Sequence, residues 1–384
     1  MDNIAATYPH PKKTLRIVVG IMFFLAGLCF ASWASRIATV QQTLGLSDAG
    51  LGAVLFSLPV GLMCSLPFSS WIITIIGSKK LLIAALSTYL VVLVGLSLAQ
   101  NIFQLIGCLI LFGFASNAVN VSVNTQGVAA EQLYQKPILA SFHGLWSLAG
   151  FTGAGIGDLM IAKNISPFYH FVLIAVTGII GIILVARYLK NDQVSGERVP
   201  AFVIPDRSLI TLGIIALCSL MCEGAMFDWS EIYFKKVVQA PTALIGAGFT
   251  AFMCTMAGVR FIADWFAKLF GLKRILQVSG SLTVTGLLIA VIFPYFYSAL
   301  AGFLLVGAGV SSVVPMVYSA AGRSKTMSPG VALAAVSTIG FVGFLFGPPI
   351  IGFIGGLATL RASFLFIAMM GACVIIFSTK AKFD

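Results

Sequence analysis

Residues 71–80 read Trp-Ile-Ile-Thr-Ile-Ile-Gly-Ser-Lys-Lys, and residues 265–274 read Trp-Phe-Ala-Lys-Leu-Phe-Gly-Leu-Lys-Arg. The two stretches lie 194 positions apart, and each places a Gly six residues after a Trp and then closes on two basic residues. The same offset of 194 aligns residues 111–113, Leu-Phe-Gly, with residues 305–307, Leu-Val-Gly. Matches at one fixed spacing indicate that the second half of the chain repeats the first.

Apolar residues dominate the whole chain, which is 59% hydrophobic and 9% charged with a mean hydropathy of +1.04. A soluble domain carries about 25% charged residues, so the composition indicates an integral membrane protein. The apolar runs are continuous and lack the alternation of barrel strands, which predicts helices. We expect twelve spans, approximately at 15–37, 48–76, 80–100, 102–127, 138–161, 167–189, 208–234, 242–268, 274–293, 295–320, 330–356 and 360–379.

One long hydrophilic stretch, residues 190–207, follows the sixth predicted span and contains two prolines and mixed charges. These properties are typical of a linker. The sequence therefore predicts an N-terminal six-helix bundle at 1–189, a cytoplasmic linker at 190–207 and a C-terminal six-helix bundle at 208–384. The predicted fold class is an all-α integral membrane protein built from two pseudo-symmetric bundles.

The distribution of Lys and Arg predicts the orientation of the chain. With the N-terminus inside, seventeen basic residues fall on the cytoplasmic side and five on the other side, so we expect both termini in the cytoplasm. The net charge of +11 is thus explained by topology and gives no reason to expect nucleic acid as a partner. The first apolar run is too long for a signal-peptide core, so no cleavable signal is expected.

The connection between spans eight and nine carries the residues of a known family motif. The predicted loop there, Gly258–Trp265 continued by Gly271, Lys273 and Arg274, resembles the signature loop of the major facilitator superfamily. The first half keeps its Gly and two Lys but has Ser70 where the acid would be. Further blocks resemble the bacterial YbjJ-type branch and, more distantly, the fucose permease group: Asn124–Gly127, Glu131, Ser141–Ser147, Glu223–Ser230, Ala321–Arg323 and Gly340–Pro349. The resemblance implies proton-coupled transport by two rocking bundles.

A polar stripe on span four is the first candidate for binding a solute. Asn117, Asn120 and Asn124 fall within about 60° of one helix face. Span five carries a similar polar stripe. Three tryptophans lie beside polar positions, and Tyr318 is the repeat counterpart of Asn124. The candidate substrate contacts are Asn117, Asn120, Asn124, His143, Trp146, Ser147, Trp33, Trp229 and Tyr318. The alternative is that these groups form interhelical hydrogen bonds or anchor the helices at the membrane interface.

Three of the twelve acids in the chain lie in one apolar span, at Glu223, Asp228 and Glu231. An acid at such depth is costly and therefore indicates function. The related permeases imply a coupling acid at the position of Asn120, and an amide cannot titrate. Glu223, near the middle of span seven, is therefore the first candidate for carrying the proton, and Asp228 is the second.

Charged residues near the span ends predict two gates. At the outer side we expect Arg36 to pair with Asp228 or Glu231, with local pairing of Glu231 to Lys235 or Lys236 as the alternative. At the inner side the resemblance implies a clamp between Asp264 and Arg260, near helix ends. The inner gate or anchor residues are Arg260, Asp264, Lys273, Arg274, Glu131 and Arg323.

These features predict a secondary transporter for a small polar organic solute, sugar-like or a related metabolite, in the bacterial inner membrane. We expect the solute, protons and membrane lipid as partners, a monomeric protein, and no nucleic acid, metal or cofactor. An efflux carrier for drugs or amphiphiles is the alternative, and a non-transporting sensor is a second one. An enzyme is not expected, because the spans offer His143 but no nucleophile or metal cluster.

Overall fold

The computed structural model describes residues 8–134, 138–191, 207–321 and 329–380, and these form helices without any strand. The ranges hold fourteen α-helices, with short 3-10 turns at Ala186–Tyr188 and Thr242–Leu244. The helices are α1 Lys12–Ala34, α2 Ile37–Thr43, α3 Asp48–Leu55, α4 Ser57–Leu98, α5 Ile102–Tyr134, α6 Leu139–Ala162, α7 Pro167–Val185, α8 Arg207–Lys236, α9 Ala247–Phe270, α10 Leu272–Ile292, α11 Phe296–Val310, α12 Val313–Ala321, α13 Pro329–Leu357 and α14 Leu360–Lys380.

Twelve segments within these ranges are long and apolar enough to cross a membrane, which confirms the predicted all-α membrane fold. One detail of the prediction was wrong. The motif at Gly258–Trp265 does not lie in a loop, because α9 continues without a break to Phe270. The chain turns only at Gly271, where a φ of 78° lies in the region that favours glycine.

The helices group into two compact units. The first unit contains the N-terminal half of the chain except for Ile37–Phe56. The second unit contains Ile37–Phe56 together with the C-terminal half. The short helices α2 and α3 therefore belong by sequence to the first half but by contact to the second unit. The division at 190–207 stays a prediction.

The repeat predicted from sequence is visible in the backbone of each unit. Gly77 has φ 79° and ψ 162°, and its counterpart Gly271 has φ 78° and ψ 154°, 194 positions later. Gly45 and Gln239 form a second pair at the same offset, with φ of 64° and 55°. Left-handed backbone at matched positions breaks the helices at equivalent places in the two halves.

Glycines at matched positions also bring helices into backbone contact. A Cβ on Gly113 of α5 would overlap the carbonyl oxygen of Leu58 on α4, and a Cβ on Gly307 of α11 would overlap that of Phe252 on α9. Both members of the second pair lie 194 positions after those of the first. Small residues allow such close helix packing in membranes. The two halves therefore share this helix–helix contact as well as the sequence pattern.

We expect Gly113→Ala to destabilise the protein by about 1–3 kcal/mol, because the added methyl group must push α4 and α5 apart. The matched control is Gly107→Ala on the same helix, where a Cβ would have no neighbour within 4 Å. That variant should unfold at the wild-type temperature or slightly above it. Thermal unfolding in detergent measures both, and equal midpoints for the two variants would contradict the assigned packing.

The helix α3 packs tightly on α13 of the second unit. A Cβ on Gly52 would lie 3.0 Å from the Cα of Gly352, and a Cβ on Gly352 would lie 2.6 Å from the carbonyl oxygen of Asp48. The Lys236 ammonium lies 2.5 Å from the Asp48 carboxylate. Close backbone packing and an ion pair together hold α3 against α13 and α8 in this structure, and we call this arrangement the α3 contact.

Candidate functional site

The acid predicted to carry the proton has a cationic partner in the structure. Glu223 on α8 is 7% exposed and lies within a membrane-spanning segment. The Nη2 atom of Arg260, on α9, lies 3.4 Å from its Oε1 atom, and the two side chains are 14% and 9% exposed, respectively. A charge at this depth is stabilised by an opposite charge, so the two residues explain each other's presence in the span.

The position of Arg260 depends on a proline in another helix. The Nε atom of Arg260 donates a hydrogen bond of 3.1 Å to the carbonyl oxygen of Ser311, between α11 and α12. In a regular helix this carbonyl would accept from the N–H of residue 315, but Pro315 has no N–H to give. The proline therefore leaves a carbonyl available, and the guanidinium uses it.

Tyr318 and Ser337 complete the group around Glu223. The Tyr318 hydroxyl lies near Ser337 on α13 and within electrostatic reach of the Glu223 carboxyl. We define the Glu223 cluster as Glu223, Arg260, Tyr318, Ser337 and the carbonyl of Ser311. Four helices of the second unit, α8, α9, α12 and α13, contribute its side chains, and Tyr318 was already a candidate from sequence.

Asp228 is a second buried acid on α8, with 9% of its surface exposed. Among the residues that the structure describes, none donates a hydrogen bond to its carboxyl or forms an ion pair with it. It lies five residues after Glu223, which places it about 140° further around the helix. Glu231 is also buried, at 3% exposure.

In the first unit the predicted Asn stripe divides into a buried and an accessible part. Asn117 is 2% exposed, whereas Asn120 is exposed and Asn124 is half-buried. The Asn124 amide donates hydrogen bonds of 2.8 Å to both the backbone carbonyl and the Oδ1 atom of Asn120. The two accessible amides therefore form one polar pair, and their role in binding a solute stays a prediction.

The candidate residues of span five differ in accessibility. His143 is exposed and meets Phe23 edge-to-face at 5.2 Å between ring centroids. Trp146 is half-buried and lies 6.2 Å from the ring of Phe30. Ser147 is buried and donates to the carbonyl of His143 at 3.1 Å. The histidine is thus the most accessible polar side chain of these three.

Two of the candidate substrate contacts, Trp33 on α1 and Trp229 on α8, are fully buried. Trp33 is 1% exposed and Trp229 is 0% exposed, each within its own unit. In the described part of the chain neither indole N–H has a hydrogen-bond acceptor. Contact with a solute stays a prediction for both, and it requires a conformation that uncovers them.

Arg36, the predicted outer gate residue, has two acceptors in the first unit. It is 2% exposed and donates to Nδ1 of His170 at 3.2 Å and to the carbonyl of Ile165 at 2.9 Å. No local pattern indicated a role for His170, which lies near the start of an apolar span. Pairing of Arg36 with Asp228 or Glu231 stays a prediction.

The structure corrects the position of Arg260 within its helix. It lies in the interior of α9, which continues to Phe270, and it contacts Glu223. The predicted pairing of Arg260 with Asp264 stays a prediction. Lys273 donates to the carbonyl of Thr379 at 3.1 Å, and Arg274 is exposed. The side chains of Asp264 and Ser70 and the whole of Arg323 lie outside the described residues.

Glu131 anchors the start of a helix. Its Oε2 atom accepts hydrogen bonds from the backbone N–H groups of Ile138 and Leu139 at 2.8 and 2.9 Å, where α6 begins. The first N–H groups of a helix have no intrahelical partner, and a carboxylate there also interacts favourably with the helix dipole. Of the two roles predicted for Glu131, gate and anchor, these hydrogen bonds favour the anchor.

Replacement of Glu131 should lower the stability of the protein in two steps of different size. Glu131→Ala should destabilise the protein by about 1 kcal/mol, because two backbone donors lose their acceptor. Glu131→Gln keeps an acceptor oxygen but loses the charge, so its unfolding temperature should fall between those of Glu131→Ala and the wild type. Thermal unfolding in detergent tests this order, and an alanine variant as stable as the wild type would refute the anchor.

Two units of repeated membrane helices, broken at Gly77 and Gly271 ahead of paired basic residues, define a class of solute carriers. The family model of the Major Facilitator Superfamily matches residues 19–327, so the chain belongs to this superfamily, as the sequence predicted.

Relatives and solved structures agree with this assignment. The chain is 32% identical to the membrane protein MosC of Rhizobium meliloti, over 99% of this chain and 94% of that protein. It is 28% identical to an uncharacterised MFS-type transporter of Yersinia pestis, over 94% of each chain. The crystal structure of the nucleoside transporter NupG matches with a TM-score of 0.74 at 14% identity, covering 96% of this chain and 98% of that one. The protein is a multi-pass membrane protein with the fold of these transporters.

Proposed function

We propose that the protein is a secondary transporter that carries a small polar organic solute across the bacterial inner membrane, coupled to protons. It works by alternating access, with both termini in the cytoplasm. The observation that carries the proposal is the ion pair between Glu223 and Arg260 inside the spanning segments of the second unit. Such a pair has two states, because a proton on Glu223 removes its attraction for Arg260.

A second acceptor for Arg260 supports a role of the ion pair in the transport cycle. The Nη2 atom of Arg260 lies 3.4 Å from the Oε1 atom of Glu223. Arg260 keeps a second acceptor at Ser311, so it stays in place when Glu223 is protonated. Glu223 can therefore bind and release a proton without loss of the surrounding structure.

A polar solute fits the accessible side chains better than an amphiphile does. The amide pair of Asn120 and Asn124 and the imidazole of His143 are accessible in the first unit. Each of these groups can hydrogen bond to hydroxyl, amine or carbonyl groups. An efflux carrier for amphiphiles would need a surface rich in Phe and Met around the solute. The accessible groups of Asn120, Asn124 and His143 are polar instead.

Uptake into proteoliposomes tests the proposed function. Candidate metabolites are first ranked by their effect on the unfolding temperature of the purified protein, and those that stabilise it are then offered to liposomes with and without a pH gradient. We expect accumulation that requires the gradient and disappears with a protonophore. Accumulation without any dependence on pH would contradict proton coupling, and binding without flux would identify a sensor.

A further inference from the structure

We propose that the first unit binds the headgroup of an anionic phospholipid where the break in α4 meets the end of α7, through the basic side chains of Lys79, Lys80 and Arg187. We call these three side chains the basic junction. The inference concerns the membrane around the protein, so it stands apart from the solute and from its coupling to protons.

A hydrogen bond brings basic groups of two helices together. The Nζ atom of Lys79, two residues after the left-handed Gly77, donates to the backbone carbonyl of Arg187 at 3.2 Å. Arg187 lies in the 3-10 turn that follows α7, and its side chain is exposed. Lys80, the next residue along α4, is exposed as well. The basic junction therefore collects three cations at one end of the first unit.

The same hydrogen bond occurs in the second unit. Lys273 lies 194 positions after Lys79 and donates to the carbonyl of Thr379 at 3.1 Å. Thr379 ends the twelfth span, and Arg187 lies at the end of the sixth. The lysine after each left-handed Gly thus meets the last span of its sequence half, so the repeated fold places Lys79 beside α7.

An aromatic ring holds Arg187 at the level of the membrane interface. Its guanidinium lies over the ring of Tyr188, 4.6 Å from the centroid, which is the geometry of a cation–π contact. The Tyr188 carbonyl accepts a hydrogen bond of 2.7 Å from the Tyr8 hydroxyl, and the His10 ring meets the Tyr188 ring edge-to-face at 5.1 Å. Tyrosines are typical of the interface where lipid headgroups lie.

An apolar surface that lipid chains cover lies next to the basic junction. Ile183 and Leu184 precede Arg187 by about one helical turn and are 71% and 63% exposed. Both belong to a segment that is long and apolar enough to cross the membrane, so the surrounding lipid covers them. A single phospholipid can therefore place its chains on these residues and its phosphate on the cations at the end of the span.

The charge balance at this end of the chain favours an anion. Residues 1–16, 79–80 and 187–198 contain eight basic and three acidic residues. The acids are Asp2, Asp192 and Glu197, which lie outside the described residues. Three acids cannot neutralise eight cations wherever they lie. Clusters of basic residues beside membrane spans attract anionic headgroups, which a zwitterionic headgroup does not match in net charge.

Two lipids with the same chains and different headgroup charge test the inference on the purified full-length protein. The probes are dioleoyl-phosphatidylglycerol, which is anionic, and dioleoyl-phosphatidylcholine, which is zwitterionic. Native mass spectrometry counts the bound lipids, and we expect the first phosphatidylglycerol to bind at least about tenfold tighter than phosphatidylcholine. Thermal unfolding in detergent should show stabilisation by phosphatidylglycerol that weakens as salt is added. Equal binding of the two lipids, or equal stabilisation by inorganic phosphate, would overturn the inference.

Variants of the basic junction locate the binding. The double variant Lys79→Gln, Arg187→Gln should retain one phosphatidylglycerol fewer than the wild type at the same lipid concentration, and Lys79→Arg, Arg187→Lys, which keeps both charges, should retain the wild-type number. The matched control is Lys163→Gln, an exposed lysine at the end of α6 and so at the opposite end of the spans, which should behave as the wild type. A double glutamine variant that keeps the wild-type number would contradict the proposed site.

Two further variants keep the test decisive. Lys80→Gln changes a single exposed side chain, so it should fold even if the double glutamine variant does not, and it should weaken phosphatidylglycerol binding at least about threefold. Unchanged binding in Lys80→Gln would count against the basic junction. The double variant Asp192→Asn, Glu197→Gln should keep the preference of the wild type. A preference that appears only in this variant would show that the chain's own acids occupy the site, and it would overturn the inference.

Discussion

A disulfide between Ala49→Cys and Gly356→Cys is expected to stop solute transport, and its reduction should restore transport to the level of the unlinked double variant. The two positions face each other across the α3 contact, where a Cβ on Gly356 would lie 3.0 Å from the Cβ of Ala49. Such proximity allows a disulfide, which needs Cβ atoms about 3.5–4.5 Å apart after small adjustments. Oxidation should therefore link α3 to α13.

The expected loss of transport follows from the place of α3 in the chain. Ile37–Phe56 is joined directly to α1 and α4 of the first unit, yet it groups by contact with the second unit. In the proposed alternating-access cycle the two halves of the chain move against each other, so the α3 contact has to open and close in every cycle. The ion pair between Asp48 and Lys236 can break reversibly, whereas a disulfide cannot.

A cross-link between two helices of the same sequence half provides the matched control. Gly95→Cys lies opposite the native Cys108, since a Cβ at Gly95 would be 3.7 Å from its Sγ atom, and both helices belong to the first unit. This disulfide should leave transport unchanged. Exposed Cys64 and Cys254 are replaced by Ser in both backgrounds to limit unwanted linkage. Transport that continues with the linkage between positions 49 and 356 fully formed would contradict the moving α3 contact.

The second large effect concerns the stability of the pair between Glu223 and Arg260. Arg260→Met should destabilise the protein by about 3–5 kcal/mol, because it leaves the buried Glu223 carboxyl without its cationic partner. Glu223→Gln should cost less, because Arg260 keeps its hydrogen bond to the carbonyl of Ser311. The double variant should be much more stable than the sum of the two losses, since it contains neither charge. A double-mutant cycle on unfolding free energies measures the coupling.

The two single variants should differ in their response to pH. In Arg260→Met the remaining Glu223 can become neutral by binding a proton, so acidic buffer should recover part of the lost stability. In Glu223→Gln the remaining Arg260 keeps its charge, so acidic buffer should not help. Additive losses in the double variant, or the opposite pH response, would show that the two residues do not stabilise each other.

Much of the fold was predictable because its signals are local in sequence. Apolar runs identify the spans, and Gly77 and Gly271 precede their basic pairs at positions where a helix must break. Such features depend on a few neighbouring residues and on the membrane as solvent. The repeat could be recognised from them before any contact was known.

The candidate site was only partly predictable, because its contacts join distant helices. Depth alone pointed to Glu223, but the family resemblance placed Arg260 in a gate. Pro315, four residues after Ser311, was a readable sign of a free carbonyl, although the sequence did not show which donor would use it. The ion pair of Asp48 with Lys236 had no local signal, because it depends on the packing of α3 against α13.

The most direct test of the account compares two transport assays of Glu223→Gln in proteoliposomes. Accumulation driven by a pH gradient requires the proton carrier, whereas exchange of labelled for unlabelled solute across the membrane requires only binding and alternating access. We predict that the variant exchanges solute at a rate near that of the wild type but fails to accumulate it above the level of empty liposomes. Accumulation by Glu223→Gln that still follows the pH gradient would contradict the assignment of Glu223 as the coupling group.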